Sequence, residues 1–203
     1  MPGVTINEGE RKSGSNAGLF FRRWLANPLQ MGSVVPSSPA LCRRIAGLVA
    51  RDPGEAVLEL GAGTGVVSRA LLEAGVPPER LLVVEIVPDM AEHLRGALPG
   101  VDVLCGDAFD LGRVLPKRWY GRIGTAICGI PLVLLPIAEQ KRFVDAVEAV
   151  APGRGFLLYT YCITSPLPHR RLGLSAWREA WTPWNVPPAS VWRYRRNNPG
   201  VHP

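Results

Sequence analysis

Three glycines and three acids in the first half of the chain have the types and spacing of a ligand site. The run Leu58-Glu59-Leu60-Gly61-Ala62-Gly63-Thr64-Gly65-Val66-Val67 places glycine at 61, 63 and 65. Glycine lacks Cβ and accepts positive φ, so such a loop can turn sharply and approach a ligand closely. An apolar run precedes the loop and a helical pattern follows it, the context a ligand-cradling turn requires. A dinucleotide fingerprint would need its third glycine at 66, where Val66 stands. Glu59 sets a carboxylate just before the first glycine, where it repels a phosphate and attracts a cation. Glu85 ends a second apolar run, 24 residues after Gly61, and can accept two hydroxyls in a bidentate grip. Asp107, in Cys105-Gly106-Asp107-Ala108, ends a third run. Its carboxylate can accept from an amine, and the Ala108 N–H can reach a ring nitrogen.

These residues need a scaffold that lines up strand ends. The pattern predicts strands over residues 56–60, 80–85, 101–105, 123–128 and 155–162, with helices over 66–74, 88–98 and 138–149 between them. Short apolar strands alternating with helices imply a mostly parallel sheet covered on both faces, a Rossmann-like α/β fold. Before it, residues 1–15 read as a disordered tail. Residues 16–52 read as N-terminal membrane-binding and lid helices, over 16–26 and from Pro39 to about Arg51. Residues 53–203 form the main unit, whose tail is predicted to hold a helix over 172–181 and a strand over 190–195.

The totals bound what the chain can do. Its 203 residues suffice for one domain with a full core. No stretch reaches the roughly 18 apolar residues of a spanning helix, and no cleavable signal is expected. The four cysteines form no CxxC pair and read as reduced thiols. Net charge is +6, unevenly placed. Residues 1–51 carry seven basic and two acidic residues, 52–165 ten and fourteen, and 166–203 six and one. Five of six tryptophans, Trp24, Trp177, Trp181, Trp184 and Trp192, also lie in the flanks. Basic residues mixed with Trp suit an anionic, partly apolar surface such as a lipid headgroup layer, although a nucleic acid is also compatible.

The glycine loop, Glu85 and the Gly106-Asp107-Ala108 turn resemble the class I S-adenosylmethionine-dependent methyltransferases over residues 53–155. The resemblance implies S-adenosylmethionine as cofactor and S-adenosylhomocysteine as product. It implies a cofactor site of Glu59, Gly61, Ala62, Gly63, Gly65, Glu85, Ile86, Asp107, Ala108 and Cys128. Ser37 and Ser38 are open to two roles there, contact with the methionine carboxylate or a plain helix cap.

The flanking Phe20-Phe21-Arg22-Arg23-Trp24-Leu25-Ala26-Asn27-Pro28, the Gly129-Ile130-Pro131-Leu132 turn and a late Pro187-Pro188-Ala189-Ser190-Val191-Trp192-Arg193-Tyr194-Arg195-Arg196 resemble the bacterial phospholipid N-methyltransferases. That second resemblance implies stepwise methylation of phosphatidylethanolamine to phosphatidylcholine. It implies a monomer, peripheral on the cytoplasmic face of the inner membrane, with an anionic phospholipid surface as partner. The rival is the rRNA adenine dimethylase type. Its turn after strand four carries an amide or acid and an aromatic to hold a flipped base, and both are missing from Cys128-Gly129-Ile130-Pro131-Leu132. A cofactor- or lipid-binding protein without turnover is a third possibility, set against the full acid set at 59, 85 and 107. Candidates to orient or deprotonate an acceptor amine are Tyr159, Tyr161 and His169. The alternative is core packing for the tyrosines and a solvated position for His169. Arg22, Arg23, Trp24, Pro131, Arg170 and Arg195 are candidates for the lipid and its phosphate, which favours arginine.

Overall fold

The computed structural model describes residues 38–162, 164–183 and 187–197. The expected tail, the helix over 16–26, Ser37 and Trp184 lie outside them.

Helix α1 (Pro39–Gly47) starts on Ser38, whose side chain accepts from the Leu41 N–H at 3.2 Å. A proline in its first turn fits the missing N–H there. The helix ends at Gly47, four residues before the expected Arg51. Strand β1 (Ala56–Leu60), helix α2 (Val66–Glu73), strand β2 (Leu81–Glu85), helix α3 (Pro88–Ala97) and strand β3 (Asp102–Cys105) follow. A one-turn helix α4 (Leu111–Val114) leads to strand β4 (Ile123–Cys128). A 3-10 turn (Leu132–Leu134) and helix α5 (Ile137–Val150) connect to strand β5 (Phe156–Thr160). Strands β6 (Leu174–Thr182) and β7 (Ala189–Arg196) complete the described chain.

The seven strands form one sheet in the order β3-β2-β1-β4-β5-β7-β6. Strands β1 to β5 run parallel, β7 runs antiparallel to β5, and β6 antiparallel to β7. Every residue of β1, β2 and β4 is buried, as expected of strands covered on both faces. On one face Leu41, Ile45, Val67, Leu71 and Leu94 from α1, α2 and α3, with Leu98 just past α3, meet Val57, Val83, Ile127, Leu157 and Val191. The opposite face carries an aromatic chain, Phe109–Phe143–Phe156–Tyr194, with ring centroids 5.6, 5.3 and 5.3 Å apart.

The tail departs from its predicted form. Residues 172–181, expected as a helix, contribute most of strand β6 instead. Leu, Ala, Arg and Glu give this stretch a local helix preference. Strand β7, however, offers an open row of backbone groups, and pairing with it outweighs propensity. A bulge between Arg178 and Ala180 shifts the register, so Trp177 pairs with Arg193 whereas Trp181 pairs with Ser190. Partners 193 and 190 point to opposite faces, so the two tryptophans do as well. They share no helical stripe.

Candidate active site

The glycine loop sits where β1 hands over to α2, at the carboxyl edge of the parallel strands. Gly61, Gly63 and Gly65 have φ of 76°, 57° and 75°, which L side chains resist. Gly61 is also crowded: a Cβ there would lie 2.8 Å from Ile130 Cγ1. Among the described residues, a Cβ on Gly63 would meet nothing within 4 Å. Ala62 between them is buried.

Three acids line this edge. Glu59 is 1% exposed and its Oε2 accepts from Ser68 Oγ of α2 at 2.5 Å. Burial pushes its carboxyl up to about 7; the neighbouring Glu85 adds to that, and the Ser68 hydroxyl and Arg69 oppose it. Glu85 is equally buried. Its Oε2 accepts from the Gly63 N–H at 3.1 Å and its Oε1 from the Val87 N–H at 3.0 Å. Burial raises its pKa too, against backbone donors that include Ile86. The carboxylate keeps acceptor capacity for a ligand hydroxyl and ties the loop to the end of β2. Asp107 accepts from the Phe109 N–H at 2.9 Å and pairs with Arg142 of α5 at 3.3 Å. The Arg142 guanidinium also covers the Phe109 ring, 5.4 Å from its centroid. Ala108 beside Asp107 is buried.

The turn after β4 closes against the loop. Cys128 is fully buried; its thiol, pushed up by burial, donates to the Ile130 carbonyl at 3.5 Å. The Gly129 N–H donates to the Leu60 carbonyl at 2.8 Å. A Cβ on Gly129 would lie 2.4 Å from the Gly61 carbonyl oxygen and 2.7 Å from the Tyr159 hydroxyl. Only glycine fits there, and the Tyr159 hydroxyl reaches the place a side chain would have filled. Pro131 follows, and Leu132 is buried. Gln140 of α5, itself buried, donates from Nε2 to the carbonyls of Leu132 and Leu135 at 3.1 and 2.9 Å.

Glu59, Ala62, the three loop glycines, Glu85, Ile86, Asp107, Ala108, Cys128, Pro131 and Tyr159 are thus gathered on one edge. Tyr161 falls just past the end of β5 but packs with Tyr159 on the α1 side of the sheet. Ser38 serves as the α1 cap. Arg22, Arg23, Trp24 and Ser37 lie outside the described residues. His169, Arg170 and Arg195 do not join the site. Leu174 pairs with Arg196, and Phe156, the first residue of β5, pairs with Tyr194. The turn before β6 and the end of β7 therefore stand at the amino edge, across the sheet from the loop. Arg195 there covers the Trp177 ring, 5.9 Å from its centroid. Arg193 is engaged as well: it donates to Glu179 at 2.5 Å and to the Leu48 carbonyl at 3.1 Å.

Sequence reading missed Ser68, Gly129, Gln140 and Arg142. Gly129 was the most legible of them, since glycine stands where related turns carry a polar side chain. Arg142 lies 35 residues from Asp107, and nothing local pairs them.

No protein-family model matches the chain. It is 27% identical over 180 residues, 86% of this chain and 93% of the relative, to an ornithine lipid N-methyltransferase of Singulisphaera acidiphila. It is 34% identical over 120 residues, 56% of this chain and 44% of the relative, to a protein-L-isoaspartate O-methyltransferase of Aeropyrum pernix. Among solved structures it resembles a 1,6-didemethyltoxoflavin-N1-methyltransferase of Burkholderia thailandensis with bound S-adenosylhomocysteine. The TM-score is 0.61 at 13% identity, over 97% of this chain and 94% of that one. The chain thus has the Rossmann-like fold seen in S-adenosylmethionine-dependent methyltransferases and is similar in sequence to N- and O-methyltransferases.

Proposed function

We propose that the protein is an S-adenosylmethionine-dependent N-methyltransferase that acts on the headgroup amine of a membrane lipid. Phosphatidylethanolamine and its mono- and dimethyl forms are the first choice of acceptor, and an amino-acid lipid headgroup is the second. The enzyme works on the cytoplasmic surface of a membrane.

The cofactor residues fit a cationic, ribose-bearing ligand. Glu59 and Glu85 are buried and accept from neutral donors, a hydroxyl and backbone N–H groups. Buried carboxylates of this kind favour a cation nearby. S-adenosylmethionine supplies an α-ammonium, a ribose diol and an electrophilic methyl on sulfonium. Bound there, it would have Glu59 toward its ammonium, Glu85 toward its diol, and Asp107, aimed by Arg142, toward its adenine amine.

The acceptor side rests on one observation, the turn after β4. Gly61 and the Tyr159 hydroxyl leave Gly129 no room for a side-chain amide. Leu132, where a stacking aromatic would stand, is sealed in the core. The turn therefore offers no platform for a flat nucleobase. It offers a hydroxyl and a tyrosine ring, which suit an aliphatic amine and the growing methylammonium; cation–π contact is worth about 0.5–2 kcal/mol. The protein's part is to align a neutral amine with the methyl and to exclude water. The lipid named for the Singulisphaera relative supports the same class of acceptor.

The test is incubation with methyl-labelled cofactor and liposomes of phosphatidylethanolamine or ornithine lipid, with rRNA as a parallel acceptor. Label is expected in the lipid extract, and mass spectrometry counts the methyl groups. Label in RNA and none in lipid would reverse the reading.

A further inference from the structure

Among the described residues the exposed large apolar side chains are Val133, Leu134, Trp177 and Trp181, at 44, 43, 39 and 51% exposure. Three of these four stand at the carboxyl edge, where the site is. Val133 and Leu134 sit on the 3-10 turn that follows Pro131. Trp181 lies near the end of β6, paired with Ser190, so it faces the same side of the sheet as Trp192 and Tyr194. That is the side covered by α5, whose Phe143 meets Phe156 edge-on, while Phe156 stacks on Tyr194. Three strand spacings separate β4 from β6, on the order of 15 Å. Scattered apolar side chains on a surface need no explanation, but a group on one rim does.

The turn is built to present its two outward residues. Leu132 and Leu135 on either side are buried, Pro131 and Pro136 bracket them, and the buried Gln140 amide binds both leucine carbonyls. Val133 and Leu134 are thus held outward by anchored neighbours and cannot fold back onto the core without breaking two buried hydrogen bonds.

We propose that the Val133–Leu134 tip is where the protein enters the acyl boundary of a lipid bilayer, with Trp181 as a second contact at headgroup depth. This rests on the lipid acceptor proposed above and locates the membrane on the rim beside Gly129 and Tyr159. An aliphatic tip buries apolar area in the acyl boundary, and Trp favours the interface. The net charge of +6 is carried by the flanks of the chain, so charge does not choose the partner of this rim; the lipid acceptor proposed for the adjoining site and the anchored aliphatic pair do.

The experiment uses the full chain with saturating S-adenosylhomocysteine and mixed phosphatidylethanolamine/phosphatidylglycerol vesicles, read by co-sedimentation. Val133→Ser/Leu134→Ser should lower vesicle partition about tenfold with S-adenosylhomocysteine affinity unchanged. Val133→Trp should raise partition, which keeps the test valid if the serine variant folds poorly. Equal partition for wild type and both variants overturns the inference. So does a change in self-association, by sedimentation velocity, in place of vesicle binding. If the tip governs partition but no lipid amine is methylated, the acceptor assignment falls and the membrane contact stands. If lipid is methylated and the tip has no effect on partition, the reverse holds.

Discussion

The two edges of the same sheet carry charge in opposite ways. At the amino edge, arginines are matched. Arg154 pairs with Asp52 and Glu55, Arg118 pairs with Asp102, and Arg80 donates to the Gly54 carbonyl at 2.6 Å while lying over Trp119. At the carboxyl edge Asp107 pairs with Arg142, but Glu59 and Glu85 are buried with hydrogen bonds from neutral donors and, among the described residues, no ion pair. A charge in water with a partner costs little, whereas a buried acid without a cation at hand is expensive and raises its pKa. The difference separates scaffold from site: matched ions hold strand ends together, and the unmatched acids mark where a cationic ligand belongs.

The comparison breaks most directly at Glu85. Replacing it with Ala leaves the Gly63 and Val87 N–H groups without their acceptor and removes the diol partner at once. Affinity for S-adenosylhomocysteine should fall on the order of 100-fold or more by calorimetry, roughly 3 kcal/mol. Unchanged affinity would take Glu85 out of the site. Gly129→Ala comes next. Its methyl would stand 2.4 Å from the Gly61 oxygen and 2.7 Å from the Tyr159 hydroxyl, so turnover should drop about 10- to 100-fold. A fully active variant would show that the two loops part freely.

Glu59 gives the pH test. Its carboxyl is raised from 4.5 to about 7 in the folded chain. The folded state therefore binds the extra proton between those values, and the stability of the ligand-free protein falls as pH rises through that window, then levels off. The ammonium of S-adenosylhomocysteine needs the ionised form, so its affinity should rise several-fold, up to about tenfold, from pH 6 to pH 8. Glu59→Gln should flatten both trends in denaturation and binding experiments. Tyr159→Phe should lower turnover a few-fold, with cofactor affinity intact. The smallest effect belongs to the amino edge, where His169→Ala and Arg170→Ala should leave lipid methylation within about twofold. A tenfold loss in either would undo the contrast between the edges.

The cofactor half was readable because its signals are local. Glycines at 61, 63 and 65 lie in one turn, and Glu85 and Asp107 each end an apolar run. The acceptor half was less so. His169 and Arg170 are candidates for the acceptor amine and its phosphate in sequence, but strand pairing carries them to the far edge. Trp177 and Trp181 lie in a stretch expected as a helix; it forms β6, whose bulge sets them on opposite faces.

By itself the sequence determined the alternation of strands and helices, the loop with positive φ, and the three acids at strand ends. Those depend on residue type and on neighbours a few positions away. Only the tertiary structure decided which arginines were occupied, that Gly129 shares its space with Gly61 and Tyr159, that Arg142 holds Asp107, and that Val133 and Leu134 face outward above Gln140. Each of these is a contact or an exposure set by the packing of segments far apart in the chain, and no local pattern encodes it.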